Sequence, residues 1–487
     1  MAEQAITKVN VLFLAAEAAP LVKVGGLGDV AGSLPVALRR VDHPQLDVRL
    51  VLPFHGEIRR KALAAEPIAQ FQVSRKGVKI QANAYLTRES GLPVYLIEGP
   101  PIPPDGPVYD TANPALDGEK YVFFSLACLE LTRHLDWQPE ILHANDWHTA
   151  AAVYAYAQKW RVKGRKPELK TVLTVHNLPF MGKEAEQALL NYGLPRSRDP
   201  RLPLWATAFP LPLGLLAADR IVAVSPGYAA EILTPEFGCG LQDILLTRKD
   251  RISGILNGLD RELWNPVWDS ALPVNFNLES LSRRGENKTA LQAELGLPVK
   301  PDVPLLIIIS RMDQQKGIDI AVAGLRQTAA LDWQAVILGT GDPLLESACR
   351  SLEAEFPERV RALIRFDSSL SRRMYAAGDI LLMPSRYEPC GLAQMIAMNY
   401  GCVPLARATG GLIDTICDDP TYANSTGFLF NEANPAAFSE ALQRALFTYQ
   451  ERNLWEQIQK RGMQMDFGWE KPAAEYARLY QNLLGGG

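Results

Sequence analysis

The 487-residue sequence contains no CxxC pair, no run of like charge, no basic tail and no Asp-x-Asp. Each absence excludes something. Its six cysteines, Cys128, Cys239, Cys349, Cys390, Cys402 and Cys417, are scattered, as expected for reduced thiols in a cytoplasmic protein rather than a disulfide scaffold or a structural zinc site. A formal net charge of -4 offers no electrostatic footprint for nucleic acid or anionic lipid. The apolar stretch Val9 to Val22 is interrupted by Glu17 and Pro20 and is too short to span a bilayer. The first ten residues lack signal-peptide organisation. The expectation is a protein without a membrane or nucleic-acid partner. All six histidines lie at or before His176, so histidine chemistry is confined to the first half.

What is present is a repeated α/β rhythm. Short apolar runs recur at 9–15, 48–53, 93–99, 140–145, 171–176, 220–225 and 251–257, then again at 305–310, 334–339, 361–366, 379–384 and 402–406. They are rich in branched residues and lack clean alternation, as strands of a parallel sheet covered on both faces should read. Helical stretches lie between them, for example 118–135 and 148–161, then 316–327 and 390–400. Repeated βαβ units imply doubly wound sheets. The fold class is therefore α/β, with two Rossmann-like domains at 1–264 and 281–466. An aperiodic hinge is expected at 265–280, and a terminal amphipathic helix in 467–487. Two such domains imply a deep cleft onto which their carboxyl strand ends open, where ligands of such sheets bind.

Every motif falls at a strand end. In KVGGLGDV, Lys23 to Val30, the glycines at 25, 26 and 28 allow backbone N–H groups close to an anion, and Lys23 supplies a full charge. A tight strand-to-helix turn with a solvated lysine accounts for the same residues; the spacing fits neither the Walker nor the dinucleotide pattern. In SRMDQQKG, Ser310 to Gly317, Arg311 and Lys316 leave a strand together, which suits a diphosphate, although a capped helix start would read the same. In SRYEPCGLAQ, Glu388 precedes Pro389, and the N–H groups of Cys390, Gly391 and Leu392 are expected to open the next helix. A carboxylate for sugar hydroxyls beside amides for phosphate makes chemical sense there. Cys390 as nucleophile is disfavoured, because no histidine lies in the second half. HANDWH (143–148) and TVHN (174–177) place Asp146, His176 and Asn177 as hydrogen-bonding partners of a polar substrate. A metal site from His143, His148 and His176 lacks the i, i+4 spacing of a helical zinc pair, and packed histidines are the plainer reading of His143 and His148.

Taken in order, these segments resemble the bacterial glycogen synthases and plant starch synthases, the ADP-glucose-dependent family of the GT-B fold. KVGGLGDV resembles that family's KTGGL loop and ANDWH its HDWH segment. TVHN, NGLD, SRMDQQKG, EPCGL and TGGLIDT resemble its TVHN, NGID, SRLxxQKG, EPCGL and TGGLxDT. The resemblance implies retaining transfer of glucose from ADP-glucose to the non-reducing 4-hydroxyl of an α-1,4-glucan, without a metal or other cofactor. By position it implies that Lys23, Gly25, Gly26, Arg311 and Lys316 hold the diphosphate, with backbone donors at Cys390, Gly391 and Leu392. Glu388, Asn257 and His176 would hold the donor glucose, Phe366 would stack on adenine, and Glu17, Asp29, Tyr95, Asp146 and Asn177 would lie toward the acceptor. Glu388, Asp146, His176, Arg311 and Lys316 are the expected catalytic set. Val24 and Ala393 stand where the family usually has a hydroxyl, Met181 where it usually has glutamine, and Pro100 to Glu119 is short and proline-rich. Two alternatives are a sucrose- or sucrose-phosphate-synthase-like transferase and a glucan-binding or priming protein of weak activity. The first usually carries an E-x7-E pattern, but Ile396 stands at the second carboxylate.

Overall fold

The computed structural model describes residues 8–61, 63–160 and 169–485. The chain divides into two compact units, residues 1–258 with 469–487, and residues 259–468.

The first unit carries β1 (Lys8–Leu14), β2 (Gln45–Pro53), β3 (Glu66–Arg75), β4 (Val78–Glu89), β5 (Leu92–Glu98), β6 (Ile141–Asn145), β7 (Lys170–Val175), β8 (Arg220–Ala223) and β9 (Ile252–Gly254). They form one sheet in the order β3-β4-β5-β2-β1-β6-β7-β8-β9. From β5 to β9 every pairing is parallel. The order reverses direction between β1 and β6, so their carboxyl ends form the switch point. The β3–β4 hairpin is antiparallel and continues antiparallel onto β5. It was not among the expected strands. Its residues alternate between buried and exposed along an edge, unlike the solid apolar runs of the centre, and it turns through Lys76 and Gly77, both at positive φ (49° and 79°).

The second unit carries β10 (Leu305–Ile309), β11 (Gln334–Gly339), β12 (Val360–Ile364), β13 (Ile380–Met383), β14 (Val403–Arg407) and β15 (Phe428–Phe430). The order is β12-β11-β10-β13-β14-β15, all parallel. That is the dinucleotide-binding order, with its switch point between β10 and β13. Its core gathers Leu306, Ile308, Ile337, Leu382, Phe438 and Trp455.

Three expected boundaries shift. The segment 265–280, expected between the domains, lies inside the second compact unit, and the chain changes units at Gly258/Leu259 and Gly468/Trp469. Its aperiodicity reflects side chains that satisfy local backbone: Asn275 Nδ2 donates to the carbonyls of Pro266 (3.0 Å) and Asp269 (2.9 Å), and Asn287 Oδ1 accepts from Val274 N–H (3.1 Å). The helix expected at 390–400 spans Ala393–Asn399. Gly391, at φ +72°, turns the chain before it, and Gln394 Nε2 takes the carbonyls of Cys390 (3.1 Å) and Gly391 (3.0 Å). The helix expected at 148–161 runs Asp146–Ala155 and passes into a wider turn to Trp160; residue 161 lies outside the described residues, as do 486 and 487.

The terminal helix Glu470–Gly485 packs Ala473, Tyr476, Ala477, Tyr480 and Leu483 into the core of the first unit with Val11, Phe13, Leu34 and Val48. His143 on β6 fastens it: Nδ1 lies 2.6 Å from Tyr480 Oη and Nε2 lies 2.7 Å from Thr174 Oγ1 on β7.

Candidate functional site

In the second unit, the end of β10 leads into the loop Ser310–Gly317. Asp313 Oδ1 accepts the N–H of Lys316 (3.0 Å) and closes a tight turn. Gly317 then reverses the backbone at φ +64°, where a Cβ would lie 2.0 Å from the carbonyl oxygen of Pro384; only glycine allows the end of β13 that close. This approach delivers Lys316 Nζ to 2.6 Å from Glu388 Oε2. Ser385 Oγ donates to the same oxygen at 3.0 Å. The backbone carbonyl of Glu388 receives Gly411 N–H from the TGGLIDT segment (3.1 Å). Glu388 is 5 % exposed, so its charge is held by a lysine and a hydroxyl rather than by water. Arg311 differs: its side chain is 62 % exposed and pairs with Asp313 at 3.2 Å. Arg386 is committed to Asp319, with contacts of 2.9 and 2.7 Å. Of Arg311, Lys316 and Arg386, Arg311 is thus the most exposed. Phe366, beyond β12, is 90 % exposed.

In the first unit, β6 ends at Asn145 and Asp146 follows in the left-handed region, φ +55°. A non-glycine residue held there signals over-determination by its surroundings. Asp146 Oδ1 accepts the backbone N–H of His176 (2.7 Å) and of Asn177 (3.4 Å). His176 Nε2 lies 2.9 Å from Asn145 Oδ1, while Asn145 Nδ2 donates to the carbonyl of Leu14 (2.9 Å). That fixes the amide, so His176 Nε2 carries the proton. The ends of β1, β6 and β7 are thereby tied to one another through polar side chains.

Burial sets the charge states. It pushes Asp146 up to about 7 against the two N–H donors that lower it, and it raises Glu17 in the same sense. It pushes His176 down to about 3. Near neutrality the first unit therefore offers a neutral imidazole and a carboxyl balanced between its acid and its base, a set suited to hydroxyl groups rather than to phosphate.

Several expected positions are placed differently. Tyr95 lies within β5, 1 % exposed, its hydroxyl receiving Arg49; it is not brought to the strand ends. Asp29 pairs with Lys23 Nζ at 2.7 Å. Gly25 N–H is taken by Glu17 Oε2 at 3.0 Å. Cys390 is buried in the turn before the helix, not in its first turn. Asn257 is buried, and its Oδ1 has no hydrogen-bond partner among the described residues. Both ring nitrogens of His143 are engaged, so it is a packing residue. Among the described residues no group of three His, Cys, Asp or Glu could hold a metal ion. Residues not singled out from sequence complete each unit's cluster: Ser385 on Glu388 in the second unit, and in the first Asn145 on His176 and Tyr109, which donates to Glu17 Oε1 at 2.9 Å. The first two stand inside the motifs themselves. Tyr109 lies in the proline-rich segment and carries no local signal.

Comparison with known proteins agrees in both halves. The starch synthase catalytic domain family matches residues 10–247, and the glycosyl transferases group 1 family matches residues 292–462. The glycogen synthase of Streptococcus pneumoniae (strain Hungary19A-6) is 39% identical over 483 residues, covering 98% of this chain and 100% of the relative. The catalytic domain of starch synthase IV from Arabidopsis thaliana, solved with ADP and acarbose, superposes with a TM-score of 0.87 at 32% identity over 98% of this chain and 100% of that one. A sucrose-phosphate synthase from Thermosynechococcus elongatus shares the fold, with a TM-score of 0.62 at 19% identity over 98% of this chain and 100% of that one. The chain belongs to the glycogen and starch synthase family of glycosyltransferases, built on the two Rossmann-like domains of the GT-B fold.

Proposed function

We propose that the chain transfers glucose from ADP-glucose to the non-reducing 4-hydroxyl of an α-1,4-glucan, with retention at the anomeric carbon and without a metal. The observation that carries this reading is the Lys316–Glu388–Ser385 cluster at the switch point of the second unit, with Arg311 exposed on the same loop. The similarity to a glycogen synthase and to a starch synthase solved with ADP and acarbose supports the choice of substrates.

In this reading Arg311 and Lys316, with backbone donors at Gly391 and Leu392, take the diphosphate. Lys23 exchanges Asp29 for a phosphate oxygen. Breaking the anomeric bond places charge on the departing diphosphate, and each preorganised donor there contributes about 3 kcal/mol in the transition state. Glu388 holds hydroxyls of the donor glucose, its charge moderated by Lys316. Asn257, whose side-chain oxygen has no hydrogen-bond partner among the described residues, and the neutral His176 complete that recognition. Asp146 and Asn177 face the acceptor, Phe366 stacks on the adenine, and a leaving phosphate oxygen takes the proton of the attacking hydroxyl. Six free cysteines, four of them buried, suit a reducing cytoplasm, and no helix among the described residues is long and apolar enough to cross a membrane.

The test is turnover on glycogen with ADP-glucose and UDP-glucose side by side, each with and without a chelator, reading the new linkage by proton NMR. Chelator-resistant α-1,4 product with ADP-glucose favoured is expected. Preference for UDP-glucose, or loss of activity with the chelator, would refute those parts of the reading.

A further inference from the structure

Glu17 lies three residues beyond β1 and is 1 % exposed. Its Oε2 accepts the backbone N–H groups of Val24 and of Gly25, the latter at 3.0 Å. Its Oε1 accepts the hydroxyl of Tyr109 at 2.9 Å. The loop closes around this carboxylate. Val22 N–H reaches Ala18 O at 2.9 Å, and Ala19 N–H reaches Gly28 O at 2.8 Å. At Gly28 a Cβ would lie 3.0 Å from Glu17 Oε2 and 3.1 Å from Lys23 Cγ, so the carboxylate and the lysine stem fill the space a side chain would need. The amides that a glycine-rich loop offers to a phosphate are, at Val24 and Gly25, already consumed by the protein's own carboxylate. Lys23 is the cation of this segment, and its partner Asp29 is on the partly exposed first turn of the following helix.

We propose that Glu17 is a positioning residue: it fixes the backbone of Lys23–Gly25, just before the helix Gly26–Arg39, and so presents the Lys23 ammonium group preorganised, while Tyr109 holds Glu17 in place. This extends the reading of Lys23 as a phosphate-holding residue and rests on it. Both its oxygens are engaged inside the unit. A buried carboxylate with three donors is satisfied as it stands, and withdrawing it would leave two backbone N–H groups and a tyrosine hydroxyl without partners.

Three variants, Glu17→Ala, Glu17→Gln and Tyr109→Phe, separate this role from a general one. In Glu17→Ala, amide hydrogen exchange at Val24 and Gly25 should speed up about ten- to a hundredfold, the loss of two bonds to a charged acceptor. Amides of β1 and β6 should keep their rates. The KM for ADP-glucose should rise about tenfold, with the KM for glucan unchanged and kcat changed less than the donor KM. Glu17→Gln should restore most of the protection and most of the donor KM, because one amide oxygen can accept both N–H groups. Tyr109→Phe should shift both readouts the same way but less. Unchanged exchange at Val24 and Gly25 in Glu17→Ala would overturn the proposal. So would a rise in the glucan KM without a rise in the donor KM, or faster exchange throughout the unit that Glu17→Gln does not correct. The exchange measurement needs no substrate. If the wild-type protein transfers no glucose, the reading of Lys23 fails while the exchange data still decide whether Glu17 holds the loop.

Discussion

Lys316 Nζ lies 2.6 Å from Glu388 Oε2, and with the bond from Arg386 N–H to the carbonyl of Gln315 (2.8 Å) it joins the loop after β10 to the loop after β13. Lys316 and Glu388 are 72 positions apart in sequence. They meet because β10 and β13 are neighbours at the point where the strand order reverses. The pair is largely buried, 20 % and 7 % exposed by side chain, so removing one partner strands the other. Glu388→Ala should cost about 3 kcal/mol in urea unfolding. Glu388→Gln keeps acceptors for Lys316 and Ser385 and should cost about 1 kcal/mol. Both should lose at least about a hundredfold in turnover. Equal stability losses in the two variants would show that the carboxylate's charge, and not its acceptor oxygen, is what holds Lys316 there.

Gly317→Ala tests the approach that makes the pair possible. Its φ of +64° and the 2.0 Å separation from Pro384 O leave no room for a methyl group. The strain alone costs about 1–2 kcal/mol, and relief of the clash must move Lys316. The variant should bind ADP more weakly, read by calorimetry, and should melt at lower temperature.

Tyr480→Phe tests how the terminal helix is fastened. It leaves His143 Nδ1 buried without its partner, at a cost of about 1–3 kcal/mol. Equilibrium unfolding should show that loss, and hydrogen exchange should show faster amides in Glu470–Gly485. A variant as stable as wild type would mean that apolar packing alone holds the helix.

The pH dependence of stability follows from burial. His55 is pushed down to about 4, His143 and His176 to about 3, and His148 well below its ordinary value. Unfolded imidazoles titrate near 6.5, so below that pH the unfolded chain takes up protons that these four residues refuse when folded. Their contribution is whole above about pH 6.5 and is lost as pH falls toward 3–4. Asp146 works the opposite way. Its folded value of about 7 lies above its unfolded value of 3.8, so stability declines as pH rises between them. The four imidazoles outnumber Asp146 and Glu17, and the urea midpoint should fall from pH 7 to pH 5. Asp146→Asn should steepen that fall and should raise the midpoint above pH 7. A midpoint that rises on acidification would contradict these assignments.

The strands that carry the site were legible because each is a solid apolar run closed by a motif, as with β10 before Arg311 or β7 before His176. The β3–β4 hairpin escaped because an edge pair alternates and uses polar residues on its open face. β15 escaped because Phe428–Phe430 is three residues long. Of the site, residue types and strand ends could be read, but not partners. Nothing local links Lys316 to Glu388, Tyr109 to Glu17 or Tyr480 to His143, since each contact depends on which strands and helices become neighbours. Tyr95 shows the same limit, since a tyrosine inside an apolar strand carries no local sign that its hydroxyl receives Arg49.

Transfer of glucose to a glucan is expected to depend on the Lys316–Glu388 pair. Incubating glycogen with ADP-[14C]glucose, wild-type protein and the Glu388→Ala variant tests it most directly. Label should enter glycogen and be released by β-amylase as maltose, with the variant giving at most about one hundredth of the wild-type rate. Wild-type protein that binds glycogen yet incorporates no label from any sugar nucleotide would contradict it.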